Sequence, residues 1–263
     1  MAHGPILTPV EVALLSGFAF LAGFVDAVVG GGGLIQLPAL LLFLPAPLSA
    51  DLPAVFGTNK MASICGTGMA VVQYGRRVHI PWPSILPSAL TAFGSAFLGA
   101  MAVSRFERDL LEPVILVLLV GVALYTAFRP DLGNLHAPAF SRHHERSLGI
   151  AVGLVLGFYD GFFGPGMGSF LIFTFVGLFG FDFLRASASA KVINFATNLA
   201  ALGLFASQGH VLYGYALPMA VCQMAGSVTG TRLAMTRGNR FVRVLFLVVS
   251  GALIVRFAWN VIG

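Results

Sequence analysis

Apolar positions in this chain gather into continuous runs instead of alternating with polar ones. Ten runs can be marked, roughly at residues 10–29, 34–45, 58–74, 84–104, 110–128, 148–163, 168–180, 187–206, 211–235 and 241–261. A helix needs about 20 apolar residues to cross a bilayer, whereas strands of a membrane barrel show segments of about ten that alternate. The run LLEPVILVLLVGVALYTAF at 110–128 does not alternate. The pattern therefore predicts an all-α polytopic membrane protein.

The longest polar interval, 129–147, holds Arg129, Asp131, Arg142, His143, His144, Glu145 and Arg146, and it leaves five runs on either side. We read residues 1–263 as a single membrane domain with one repeat at about 10–128, a linker at 129–147 and a second repeat at about 148–261. The halves match locally. GFVDAVVGGGG at 23–33 aligns with GFYDGFFGPGM at 157–167, pairing Gly23 with Gly157, Asp26 with Asp160, Gly30 with Gly164 and Gly32 with Gly166; further on, Lys60 pairs with Lys191. The offset falls from 134 to 131 between these blocks, a change that a shorter loop absorbs.

Composition agrees with a membrane domain. Of 263 residues, 57% are hydrophobic and 10% charged, with a mean hydropathy of +0.90, against about 25% charged residues in soluble domains. The net charge of +5 is spread over loops without forming a stripe, which argues against a nucleic-acid partner. The arginines read as topology signals, because cytoplasmic loops are enriched in Lys and Arg. Arg76 and Arg77, the 129–147 interval, Arg185, and Arg237, Arg240 and Arg243 are assigned to the cytoplasm. This places both termini outside and gives the halves opposite orientation. Five crossings per half, or three if the short first pair is a re-entrant hairpin, keep the parity odd, as inversion requires. Residues 1–9 lack a basic n-region and a cleavage pattern, so the first run is read as retained.

The chain has two lysines, Lys60 and Lys191, at matched repeat positions. A charge at the centre of a bilayer helix costs about 2.5–3.5 kcal/mol on insertion scales, which marks such a residue for function. The competing reading places both at helix ends, snorkelling to the interface. Helical spacing adds Ser63 and Thr67 to the face of Lys60, and Asn194 and Asn198 to that of Lys191. Two such stripes predict a positively biased cavity for an oxyanion where the halves meet, with Asn59 beside it; Ser63 and Thr67 also suit plain helix packing. The glycines at 30–33 and 164–168 interrupt apolar runs at matching places, the mark of broken helices at a transporter site. Gly31, Gly32, Gly33 and Gly166 are the expected backbone contacts to an anion at half-helix N-termini; a tight turn is the alternative. Asp26 and Asp160 are expected first as acceptors of backbone N–H groups from the broken segments, with proton carriage or pairing to the lysines as alternatives.

Other features carry less. Arg232 and Arg256 read as snorkelling side chains, Gly226 and Gly230 as a close helix contact, and Cys65 and Cys222 as small buried hydrophobes without metal or redox spacing. The histidines show no metal-ligand spacing, and no cofactor motif is present in the sequence.

At these residues the chain resembles the sulfite exporter TauE/SafE family. The resemblance rests on the GF-x-D-x-x-x-G-x-G blocks at 23–32 and 157–166, GTNK at 57–60 and AKVINFATN at 190–198, and covers nearly the whole chain. It implies a bacterial inner-membrane permease, often described as an exporter, for sulfite, sulfonates such as sulfoacetate, or related anions. Ala190 stands where the first half has Asn59, so the half-sites differ chemically. The expected activity is secondary transport of such an anion by alternating access, with lipid around it and a homodimer left open. A sulfur-group carrier or membrane enzyme using Cys65 or Cys222, or a passive channel, are the alternatives.

Overall fold

The computed structural model describes residues 8–104 and 142–262. The run expected at 110–128 and the linker up to residue 141 lie outside the described residues, as do the side chains of Arg142, His143, His144, Arg240, Arg243 and Arg256. The helices are α1 (Pro9–Val29), α2 (Gly33–Phe43), α3 (Ala46–Ser49), α4 (Leu52–Gly75), α5 (Trp82–Val103), α6 (Arg142–Phe162), α7 (Met167–Gly177), α8 (Phe183–Ser207) and α9 (Tyr213–Ile262), with no strand among the described residues.

Local chemistry starts these helices where it should. Thr8, Asp51 and Asp182 cap α1, α4 and α8, each side-chain oxygen accepting the N–H three residues on, and proline opens both α1 and α4. Among the described residues three helices, α1, α5 and α8, are long and apolar enough to cross a membrane. At 11 residues each, α2 and α7 rise about 16 Å, half of a bilayer core.

The last helix departs from the expected pattern. A turn was expected near 236–240, between runs at 211–235 and 241–261, yet α9 continues for 50 residues. The polar stretch TRGNR contains no proline, and polarity ends membrane burial without ending the hydrogen-bond ladder.

Two apolar cores lie at opposite ends of the bundle. One holds Leu15, α2, Leu52, Val55 and Phe56 from the start of α4, Ala100 from the end of α5, Phe163, and Leu204 and Phe205 from the end of α8. The other holds Val28, Tyr74 from the end of α4, Ile85 from the start of α5, α7, and Phe183 and Ala186 from the start of α8. The matched helices α4 and α8 therefore run antiparallel, with the rings of Phe56 and Phe205 stacked 6.5 Å apart. Small residues let the remaining helices close up. A Cβ on Gly157 or Gly161 of α6 would stand 2.6 or 2.7 Å from the Cα of Ala92 or Ala96 in α5, and one on Gly230 of α9 would stand 2.5 Å from the Phe24 carbonyl oxygen in α1.

Candidate functional site

Two glycine-rich helix breaks meet back to back between the apolar cores. Gly30 ends α1 at φ +79°, and Gly164 and Gly166 precede α7 at φ +91° and +82°, angles that favour glycine. A Cβ on Gly168 would lie 2.5 Å from Gly30 Cα. Ser169 fastens the crossing, its N–H donating to the Gly30 carbonyl at 3.2 Å and its hydroxyl to the Val29 carbonyl at 2.8 Å.

The lysines pair across the halves. Lys60 Nζ on α4 lies 2.9 Å from Asp160 Oδ1 on α6 and also donates to the Asp160 carbonyl at 3.0 Å. Lys191 Nζ on α8 lies 2.8 Å from Asp26 Oδ2 on α1. All four residues are buried, so neither lysine snorkels. The leading expectation for the aspartates, acceptance of backbone N–H groups, gives way to these ion pairs. A buried ammonium offers more Coulomb energy than an amide in a low dielectric, and the breaks already satisfy much of their own backbone. Gly164 makes room for the first pair, since a Cβ there would stand 3.1 Å from both Lys60 Nζ and Asp160 Oδ1.

A polar cavity opens on these groups. Asp26, Asn59, Lys60, Ser63, Thr67, Asp160, Asn194 and Asn198 line it, with Gly33 and Gly166 at the starts of α2 and α7. Lys191, Gly31 and Gly32 do not. Lys191 is fully buried behind Asp26; a Cβ on Gly31 would meet only Val25, Leu34 and Ser169 at 3.6 Å or more, and one on Gly32 would press on Asp26 Cβ at 2.6 Å. Thr67 spends its hydroxyl proton within its own helix, on the Ser63 carbonyl at 2.8 Å, and Asn198 donates to Asn194 Oδ1 at 3.3 Å.

Gly30, Gly164 and Gly168, from the glycine segments marked in the sequence, also line the cavity, and so does Gln223 on α9, which was not anticipated. A lone amide inside the apolar run 211–235 was the available signal for Gln223. Its place is made by missing side chains: a Cβ on Gly66 would lie 2.8 Å from Gln223 Cγ, and Gly23 abuts the Gln223 backbone. The offset of 131 that relates Lys60 to Lys191 relates Ala92 to Gln223, and Gly157 abuts Ala92 as Gly23 abuts Gln223.

With two lysines and two aspartates paired, the formal charges cancel, in contrast to the positive bias expected. Three buried oxygens around the cavity have no hydrogen-bond partner: Asn59 Oδ1, Asp160 Oδ2 and Gln223 Oε1. The space open to the centre of a water molecule is about 20 Å³, enough for about one water and too little for a tetrahedral anion. Cys65 lies elsewhere, on an apolar groove with Ile64, Met69, Val72, Phe195 and Met224. No cluster of metal-ligating side chains occurs among the described residues.

Comparison with known proteins gives a consistent result. The family described as Sulfite exporter TauE/SafE matches residues 15–257. A Sinorhizobium protein named probable membrane transporter protein ORF9 is 38% identical over 249 residues, which span 93% of this chain and 91% of that one. The probable membrane transporter protein YfcA of Escherichia coli K12 is 30% identical over 259 residues, 97% of this chain and 92% of its own. A probable membrane transporter protein of Haemophilus influenzae is 33% identical over 239 residues, 91% of each chain. No solved structure matches the chain significantly.

Proposed function

The chain belongs to the sulfite exporter TauE/SafE family, and we propose that within it this membrane transporter is a secondary exporter of a small sulfur-containing anion, such as sulfite or an organosulfonate, across the bacterial cytoplasmic membrane. The observation that carries this reading is Lys60, a buried ammonium lining a cavity that sits between two apolar cores. A cation held at that depth is costly unless a ligand or partner uses it.

On this reading the halves are inverted repeats, α1 with α2 and α6 with α7 form the broken or re-entrant pairs, and the N-terminus faces away from the cytoplasm. The antiparallel course of α4 and α8 supports the inversion. The end of α4 near Arg76 and the starts of α6 and α8 near Arg146 and Arg185 share one end of the bundle, as a cytoplasmic face enriched in basic residues requires. The two cores act as alternating gates, each loosening in turn while the other holds, and the cavity widens around the Gly30–Gly168 crossing to admit the anion. The thiol-carrier and enzyme alternative loses ground because Cys65 faces the apolar groove and the family and relatives are transporters.

The test is binding of sulfite, sulfoacetate, thiosulfate and sulfate to the detergent-purified protein, compared with Lys60→Ala. Saturable binding of at least one anion, weakened at least tenfold (about 1.4 kcal/mol) in a variant that still elutes as a monodisperse species, is the expected result. Binding of none, or equal binding by the variant, overturns the proposal.

A further inference from the structure

If an anion occupies this cavity, the acceptor oxygens already there decide what must accompany it. Asp160 Oδ1 is held by Lys60, but Asp160 Oδ2 is buried without a partner and lines the same space. Asn59 and Gln223 also present unpartnered acceptor oxygens, and each can exchange acceptor for donor by a half-turn of its amide. A carboxylate cannot. Both its oxygens only accept, and it becomes a donor solely by gaining a proton. An anion arriving beside ionised Asp160 would therefore meet a like charge at close range, in a site whose lysines and aspartates already cancel.

We propose that the anion binds together with one proton, and that the proton resides on Oδ2 of Asp160. This rests on the anion-transport reading above and names its coupling ion. Protonation removes the negative charge that neutralises Lys60, so the ammonium turns to the anion, and the new carboxyl O–H donates to it. For a univalent anion the site then returns to zero formal charge, with Lys60 serving the anion and Lys191 still serving Asp26. A univalent cargo and its proton together carry no net charge across the membrane, so their own gradients set the direction of flux, whereas a divalent anion with one proton carries one negative charge.

The groups able to modulate this step are few. Lys60 of α4 touches Asp160, Asp26 of α1 shares the cavity, and Lys191 of α8 is committed to Asp26. Tyr159, next in the chain, donates its hydroxyl to the Pro165 carbonyl at 2.6 Å. The segments of α5 and α7 packed against α6 contain no titratable residue, and Gln223 of α9 is neutral.

The experiment uses sulfoacetate, thiosulfate and sulfate, which keep a constant charge across the neutral range; sulfite itself titrates there. Affinity of the wild-type protein should rise about tenfold per unit fall in pH while Asp160 is ionised in the free protein. Indicator dye in weakly buffered solution should report about one proton taken up per anion bound. Asp160→Asn should bind with pH-independent affinity and take up no proton. Saturable binding in the wild-type protein that neither varies with pH nor takes up a proton overturns the coupling and leaves the anion site standing. An Asp160→Asn protein that is folded, yet keeps the wild-type pH slope, removes Asp160 as the carrier. Absence of binding by all three anions and by sulfite overturns both readings.

Discussion

Lys60–Asp160 and Lys191–Asp26 occupy matched positions in the sequence and differ in their surroundings. In the first pair both partners line the cavity; in the second only the carboxylate does, and the Lys191 side chain is 0% exposed. The amides follow the same division. Asn59 adjoins Lys60 where Ala190 adjoins Lys191, and Gln223, packed on Gly66 of α4, takes the place that Ala92 fills in the other half. The matched positions supply a symmetric frame of charges, and the amides with unpartnered oxygens lie on the Lys60 side of it. On the proposed reading Lys191 is a strut and Lys60 the working cation.

The largest expected effect separates these roles. Lys191→Ala removes a fully buried side chain that does not reach the cavity and leaves its void closed behind Asp26, and breaking such a buried pair costs about 3–5 kcal/mol. Lys60 itself lines the cavity, so Lys60→Ala opens its void to the water that the cavity admits, and the loss should be smaller, on the order of 1–2 kcal/mol. Thermal unfolding in detergent, read alongside anion binding, should show Lys191→Ala chiefly as loss of folded protein and Lys60→Ala chiefly as loss of binding. Equal stability losses with equal binding losses would erase the distinction between strut and working cation.

A second contrast lies within the glycine break itself. Gly30→Ala forces a side chain into φ +79° and against the backbone of Gly168, where nothing can retreat without separating α1 from α7. Gly31→Ala adds a methyl whose nearest neighbour is 3.6 Å away, at ordinary backbone angles. The first should destabilise by about 2 kcal/mol or more and the second by less than about 0.5 kcal/mol. Unfolding midpoints of the two variants check this. The site-lining role expected for Gly31 from sequence would survive only if Gly31→Ala impaired binding in a stable protein.

Much of this architecture was legible because bilayer insertion and repetition leave strong traces. Among the described residues the apolar runs located most of the longer helices, the starts of α4 and α6 lying six residues earlier than read and the last two runs forming one helix, and the matched Asp, Gly and Lys positions located the polar centre. What escaped was set by contacts between distant segments. That each lysine takes the aspartate of the other half depends on how α1 and α6 cross α8 and α4, which no local spacing encodes. Gln223 was overlooked because a lone amide in an apolar run is a weak signal, given its meaning only by Gly23 and Gly66, which face it. The continuity of α9 through TRGNR was missed because the polar interval was read as a break between runs, although without a proline the hydrogen-bond ladder can continue through it.

The smallest expected effect concerns the thiols. Cys65 is five residues beyond Lys60, which on a helix of about 100° per residue turns it roughly 140° from the lysine face. In the structure it borders the apolar groove and not the polar cavity, while Cys222 packs against the core that contains the start of α4. A Cys65→Ser, Cys222→Ser double variant should therefore keep anion affinity and flux within about twofold, losing at most about 1 kcal/mol of stability to two hydroxyls in apolar surroundings. Purified protein reconstituted in vesicles gives the flux, and the same preparation gives the unfolding midpoint. If flux vanished while the protein stayed folded, a thiol would have to take part in the transport cycle, and the division of α4 into a polar working face and an apolar outer face would fail with it.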